Sequence, residues 1–431
     1  MKNTLMKSTL ILVIGGAITK ILSMVIKIVL SRLLTTYGVG IYYLILPTFS
    51  LLISLTSLGL PMAISKLVSE GGRNNKRLLF SLIPVTLGFD LLVIIILILS
   101  SDFIANNLLH NINYKYIIIA MGLVLPFIDL SSIIRGYFFG KERMIPHVIS
   151  NITEDFVRLI LLIIGIPYFI KKGIYNAIIY VILVNIVSEL ISILVLYLFL
   201  PKNFVINKKD LKINYKDVSD TFKIGIPSTV SRLIGNIGYF LEPIIITTIL
   251  LKIGYNNNFI TLEYGIINGY VMPILLLPSF FTLAISSALL PIISKNYKLK
   301  NYKYVSKKIK QAIIYSLIIG IPFTILIIIF PHIPLKLLYH TTDGVRYIRL
   351  LAPICILHYI QAPLTSSMQA MNKSFDAMLG TLLGIIFKIL TLIIFSHMHI
   401  GLYSLIIATS INIIIVTLHH IVKIHKYINP S

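Results

Sequence analysis

The sequence predicts an all-α polytopic membrane protein of about twelve transmembrane helices in two similar six-helix halves, and three observations predict it. Apolar runs of about 20 residues recur from end to end, each long enough to cross a hydrocarbon core of roughly 30 Å. Of the 431 residues 57% are hydrophobic and only 12% charged, against roughly a quarter charged in a soluble domain. The pattern also repeats: Leu46-Pro47-Thr48-Phe49 with Leu60-Pro61-Met62-Ala63-Ile64-Ser65-Lys66 returns as Leu277-Pro278-Ser279-Phe280 with Leu290-Pro291-Ile292-Ile293-Ser294-Lys295.

Taken in order, spans are expected near 8–34, 41–65, 78–100, 114–134, 146–168 and 174–200, then 221–250, 264–290, 309–331, 347–371, 375–396 and 401–422. The first is too long for a signal-peptide core and lacks a small-residue cleavage site, so it is read as a retained helix. An even number of spans puts both termini on one side. With that side taken as the cytoplasm, about 25 of the 38 lysines and arginines lie inside and about 8 outside, the asymmetry that membrane insertion selects. That distribution accounts for the +23 net charge and removes nucleic acid as a partner. The expected localisation is the cytoplasmic (inner) membrane. Each half starts on the same side, so the halves are parallel repeats related by a pseudo-twofold axis along the membrane normal. They are residues 1–200 and 221–431, joined by a basic cytoplasmic linker at 201–220. Prolines within spans, Pro47, Pro84, Pro126, Pro273, Pro278, Pro322, Pro353 and Pro363 among them, free backbone carbonyls that neighbours or a cavity must satisfy.

An ionisable group near the bilayer centre costs about 2.5–3.5 kcal/mol on insertion scales, so each needs a partner or a watery cavity. Lys20 and Lys27 lie seven residues apart on one face of the first helix, with Arg32 nearer its outer end. Arg232 and Glu242 sit on the seventh. Basic helices facing each other would form an anion-binding cavity, and a diphosphate or similar headgroup suits it because cations in a low-dielectric cavity hold such groups strongly. Glu154 and Arg158 are spaced for an internal ion pair. Asp90, Asp129 and Glu189 are isolated acids, candidates either to bind a coupling cation or to pair with basic helices, and Lys388 is open in the same way. No phosphate-cradling GxxxxGK loop, GxSxG elbow or HExxH helix occurs, and no loop is large enough for a sugar-donor domain, so catalysis is not expected. Cys355 is the single cysteine and forms no internal disulfide. The histidines at 397, 399, 419, 420 and 425 lack accompanying carboxylates or cysteines, so neither a metal nor another resident cofactor is expected.

Several strings carry a family resemblance. Thr19-Lys20-Ile21-Leu22, Lys27, Ser31-Arg32-Leu33-Leu34 and Gly38-Val39-Gly40-Ile41-Tyr42 resemble the first helix and exit loop of the stage V sporulation protein B family. So do Arg135-Gly136-Tyr137-Phe138-Phe139-Gly140 with Met144, Pro146, Glu154 and Arg158. The second half agrees through Gly225-Ile226-Pro227, Ser231-Arg232-Leu233-Ile234, Leu241-Glu242-Pro243, Leu277-Pro278 and Leu289-Leu290-Pro291. The resemblance spans nearly the whole chain and implies membership of the multidrug, oligosaccharidyl-lipid and polysaccharide exporter superfamily. It implies two six-helix lobes around a central cavity that opens alternately to each side, with a lipid-linked saccharide as cargo. By analogy Lys20, Lys27, Arg32 and Arg232 fall where cavity cations would bind the diphosphate. Family members commonly have fourteen helices, and in related flippases the extra pair forms a groove for the lipid tail; twelve are read here.

The expected function is therefore a flippase for an undecaprenyl-diphosphate oligosaccharide or peptidoglycan precursor. Na+, H+ or the membrane potential would bias its cycle, and membrane lipids and cell-envelope synthesis enzymes would be its surroundings. Two alternatives remain open: a cation-coupled exporter of small amphipathic compounds, which would rely on Asp90, Asp129 or Glu189, and a non-transporting scaffold for polysaccharide synthesis.

Overall fold

The computed structural model describes residues 2–201, 204 and 213–428 and, among them, is built of helices and short connections. Its contacts divide it into two compact units, Met1–Phe240 and Leu241–Ser431. Much of the expected linker, at 202–203 and 205–212, lies outside the described residues. The boundary between units falls inside a helix.

The first unit contains α1 (Lys2–Leu33), α2 (Thr36–Thr56), α3 (Leu60–Glu70), α4 (Asn75–Phe103), α5 (Lys115–Gly140), α6 (Met144–Ile170), α7 (Ile174–Leu198) and the N-terminal part of α8 (Tyr215–Lys252). Local chemistry sets the ends. Thr35 caps α2 by accepting a hydrogen bond from the Gly38 amide, and Asn74 caps α4 by accepting one from the Arg77 amide, in each case satisfying an N–H that the first turn leaves orphaned. The expected span 41–65 is interrupted. Leu58 and Gly59 take φ of 43° and 65°, and Pro61, which lacks an N–H, sits in the first turn of α3 where that loss is harmless. Helix α2 therefore stops at Thr56, and a separate α3 begins four residues later, at Leu60. A Cβ on Gly59 would lie 2.4 Å from the Gly225 carbonyl oxygen, and one on Gly225 would lie 2.2 Å from the Leu58 carbonyl oxygen. Two bare backbones meet there, which only glycine allows.

The core of this unit packs Leu60, Ile64 and Leu67 of α3 against Leu78 and Leu82 of α4, Ile133 and Phe138 of α5 and Leu196 of α7. Val218, Phe222 and Ile224 at the start of α8 pack on the same cluster. Two carboxylates of that first stretch fix it further: Arg73 donates to Asp217 at 3.1 Å and to Asp220 at 2.8 Å. The hydrogen bond to Asp220 is the main cause that holds the Arg73 guanidinium above its ordinary value; desolvation opposes it and the bond to Asp217 adds to it.

The second unit contains the rest of α8, then α9 (Asn257–Gly265), α10 (Met272–Leu275), α11 (Ser279–Lys298), α12 (Tyr302–Ile329), α13 (His332–Tyr339), α14 (Val345–Ala370), α15 (Ser374–Ser396) and α16 (Tyr403–Ile428). A π-helical turn, Ile266–Val271, joins α9 to α10. The expected span 264–290 is bent by 52° where α10 gives way to α11, at Leu277-Pro278. The repeat seen in sequence therefore breaks at different points: after Thr56, ahead of Pro61, in the first unit, and at Pro278 in the second. Leu289 and Ile293 of α11, Val305 and Ile309 of α12, Ile360 and Leu364 of α14, Ala377 of α15 and Ile424 of α16 form the second core.

Among the described residues nine helical stretches are long and apolar enough to cross a membrane, or ten with the bent pair. Twelve is thus not the number these criteria return. Helix α6 has the length, 27 residues, but carries three charges near its middle, Glu154, Asp155 and Arg158.

Candidate functional site

The polar residues of α1 form one stripe. Gly16, Thr19, Lys20, Ser23 and Lys27 recur at three-, four- and seven-residue intervals, which a helix places on one side. Within it the Thr19 hydroxyl donates to the Gly16 carbonyl at 3.1 Å and the Ser23 hydroxyl to the Thr19 carbonyl at 2.8 Å. These bonds satisfy the hydroxyls locally. Lys20, Lys27 and Arg32 are exposed, and among the described residues no carboxylate lies within ion-pair distance of Lys20 or Lys27. In a helix of this length and apolarity such ammonium groups require a watery or anionic surrounding.

Arg232, on the part of α8 that belongs to the first unit, is also exposed, and its guanidinium donates to the Ser57 hydroxyl at 3.4 Å. One turn on, Asn236 donates to the Ser54 hydroxyl and at 3.5 Å to the Ser50 carbonyl. Arg232 and Asn236 thus run along the polar face of α2, ending at the break after Thr56.

A second group of charges lies inside the first unit. Arg135 of α5 donates to Glu154 of α6 at 2.5 Å, to Glu189 of α7 at 3.3 Å and to the Ser192 hydroxyl at 2.9 Å. Arg158 completes the group, bonded to Glu154 at 2.5 Å, Asp155 at 3.3 Å and the Ser188 hydroxyl at 3.4 Å. Their side chains are between 6% and 22% exposed. Glu154 and Arg158 do pair within α6, but as part of a five-residue network across three helices. Glu189, isolated in sequence, is held by Arg135. Sequence reasoning did not single out Arg135 or Asp155 as site residues; the signal was an arginine in an apolar helix, which needs an acid nearby.

Asp90 of α4 and Asp129 of α5 face each other and are 0% and 1% exposed. In the second unit Glu242 pairs with Lys388 of α15 and accepts from the Tyr264 hydroxyl at 2.9 Å. Lys388 thus resolves as the partner of Glu242. A further feature missed in sequence is a concavity of about 510 Å³ lined by Tyr255, Phe259, Tyr347, His399 and Tyr403. Arg346 at its edge donates to Glu263 at 2.5 Å and lies 4.8 Å from the Tyr347 ring centre. Among the described residues no three histidine, cysteine or acidic side chains converge as metal ligands.

Helices of membrane length, broken spans and a buried network of charges define a class: an all-helical, multi-pass membrane protein. Comparison with solved structures agrees on the fold. The inward-facing conformation of a multidrug resistance MATE family transporter of the MOP superfamily superposes with a TM-score of 0.74 over 95% of this chain and 94% of that one, at 16% identity; an outward-facing conformation gives 0.62 over 98% and 95%, at 15%. Residues 5–297 match the family model described as polysaccharide biosynthesis protein, and residues 268–394 match that described as MatE. Stage V sporulation protein B of Bacillus subtilis (strain 168) is 31% identical over 441 residues, covering 100% of this chain and 85% of the relative. The lipid II flippase MurJ of the same organism is 22% identical, covering 90% and 77%. This chain belongs to the polysaccharide biosynthesis protein family of the multidrug/oligosaccharidyl-lipid/polysaccharide exporter superfamily.

Proposed function

We propose that this chain is a flippase carrying a lipid-linked oligosaccharide or peptidoglycan precursor, with an undecaprenyl-diphosphate anchor, across the cytoplasmic membrane by alternating access. The observation that carries the reading is the polar stripe of α1. Lys20 and Lys27 are exposed on one side of a membrane-length helix with no carboxylate beside them among the described residues, which leaves them open to an anion of the cargo. A diphosphate supplies two negative charges in a compact group that such cations bind through charge-assisted hydrogen bonds. Arg232, set by Ser57 at the break after α2, is a third cation of the proposed headgroup site, with Arg32 toward its rim. That a relative is named a lipid II flippase supports a prenyl-linked saccharide over a small soluble drug.

In this reading both termini are cytoplasmic and the basic segment 201–220 connects two lobes that rock. No bond of the cargo is made or broken by the protein. A cation or the membrane potential biases the cycle, since a ligand that binds both states equally shifts neither. Envelope-synthesis enzymes would act on the cargo at either face.

The test is translocation of a fluorescent undecaprenyl-diphosphate sugar in proteoliposomes, with and without an imposed potential. Wild type is expected to accelerate flipping, and Lys20→Ala/Arg232→Ala to insert normally and lose it. Equal transport by the double variant would remove the diphosphate site, and no transport by folded wild type under any gradient would remove the flippase reading.

A further inference from the structure

The concavity of about 510 Å³ in the second unit is built from aromatic rings and one ion pair, none of which the cargo cations of the first unit use. One wall is a stacked pair: the ring centres of Tyr255 and Phe259 lie 5.5 Å apart, with the planes within 21° of parallel. Asn256 caps α9 by accepting from the Asn258 amide at 2.9 Å, so Phe259 in the first turn comes to lie against Tyr255. The Tyr255 hydroxyl donates to the His399 carbonyl at 2.6 Å, which ties this wall to the connection between α15 and α16. Gly401 of that connection, at φ 58°, presents bare backbone to both rings. A second wall holds Tyr347 and Tyr403, their ring centres 5.4 Å apart, with the Arg346 guanidinium 4.8 Å and 5.7 Å from those centres. Glu263 accepts from Arg346 and from the Tyr347 hydroxyl, each at 2.5 Å.

Tyrosines that only anchor helices at a bilayer surface need neither the concavity nor the ion pair, and the volume falls among those of small-molecule sites, about 300–1,000 Å³. Phe259 is 38% exposed and the Arg346 side chain 53%, so a ring face and a guanidinium are both open to a ligand. The charges decide its class. Arg346 and Glu263 neutralise each other, so an anion would have to draw Arg346 from Glu263 and a cation would have to draw Glu263 from Arg346. A lipid tail would cover the pair and offer it no hydrogen bond. What suits the lining is an uncharged ligand with an apolar face and a rim of hydroxyls, which is the pyranose ring of a sugar. Its weakly positive C–H groups lie on the negative faces of aromatic rings, and its hydroxyls accept from a guanidinium and donate to the remaining lone pairs of a carboxylate. We propose that the concavity lined by Tyr255, Phe259, Arg346 and Tyr403 binds a neutral saccharide. In the topology proposed above, the C-terminal ends of α8 and α15 lie on the non-cytoplasmic side, where a flippase releases its cargo. Use of the site by the sugar of the cargo rests on the flippase reading; sugar binding does not.

The experiment is saturation-transfer NMR on the full chain in lipid nanodiscs, which keep sugar-headed detergents out, with cellobiose, lactose and diacetylchitobiose as probes. Wild type is expected to transfer saturation to the ring C–H protons of at least one of them. Phe259→Ala is expected to weaken that binding about fivefold, the size of one lost aromatic contact, and Phe259→Tyr to keep it; inorganic phosphate is expected not to compete. No transfer to any of the three sugars, binding that Phe259→Ala leaves unchanged, or displacement of the sugar by millimolar phosphate overturns the site. Should Phe259→Ala fail to fold, Phe259→Cys is folded first and then blocked with a bulky maleimide, which Cys355 escapes because it is buried; lost binding after blocking supports the site and retained binding overturns it. A prenyl-diphosphate disaccharide in the same nanodiscs then separates the two sources of sugar. Competition with the free probe supports a site for the headgroup of the cargo, and its absence supports one for free or polymeric glycan. No transport is measured, so a failure here is distinct from a failure of the flippase reading.

Discussion

Replacing Arg135 with glutamine tests whether the network of α5, α6 and α7 is what joins those helices. The arginine contacts Glu154 at 2.5 Å and Glu189 at 3.3 Å, with side chains 18%, 9% and 6% exposed. At an effective dielectric of about 20, one such contact near 3.3 Å is worth about 5 kcal/mol of Coulomb attraction. Repulsion between the two glutamates and the desolvation of all three groups offset much of it. What the substitution exposes is the penalty of leaving Glu189 buried and unpaired while Glu154 keeps Arg158, about 3–5 kcal/mol for a broken buried pair. At about 2–4 °C per kcal/mol for a unit of this size, the unfolding temperature in detergent should fall by roughly 6–20 °C. Arg135→Gln/Glu189→Gln should lose less than the sum of its two single variants, because removing Glu189 removes one unpaired charge; the coupling expected between contacting groups is about 0.5–3 kcal/mol. A fall of less than about 1 kcal/mol, or strict additivity in the cycle, would refute the argument that these ions are mutually compensated.

The other predictions follow the same physics. Gly59→Ala and Gly225→Ala should each sharply reduce the yield of folded protein in fluorescence size-exclusion, since a Cβ would meet a backbone carbonyl oxygen at 2.4 Å and 2.2 Å; Gly235→Ala, where a Cβ meets nothing within 4 Å, should be neutral. In the second unit Lys388→Met should lower the unfolding temperature by leaving Glu242 buried and unpaired, and Lys388→Met/Glu242→Gln should restore part of that loss. Glu154→Ala, which removes the acid shared by Arg135 and Arg158, should reduce folded yield more than either Lys20→Ala or Arg232→Ala, which contact no acid among the described residues.

The sequence by itself determined the class of the molecule. Apolar runs of membrane length leave a chain no soluble solution, because each backbone polar group in hydrocarbon must be satisfied within its own helix. The periodicity of α1 is likewise legible, since seven residues make two helical turns and put Lys20 and Lys27 on one side whatever surrounds them. So is the Glu154–Arg158 spacing. What decided the rest is contact between residues far apart in the chain. Nothing in the sequence pairs Arg135 with Glu189, 54 positions away, or Lys388 with Glu242, 146 positions away; those pairings exist because packed helices bring the ions together where water cannot solvate them. The break of the second span depended on the same kind of information. Leu58-Gly59-Leu60-Pro61 is compatible with a kinked continuous helix, and it becomes a break where Gly59 meets the backbone of Gly225, an approach set by tertiary packing. Asp90 and Asp129 are the clearest case: two lone acids in sequence become a buried pair only when α4 and α5 pack together.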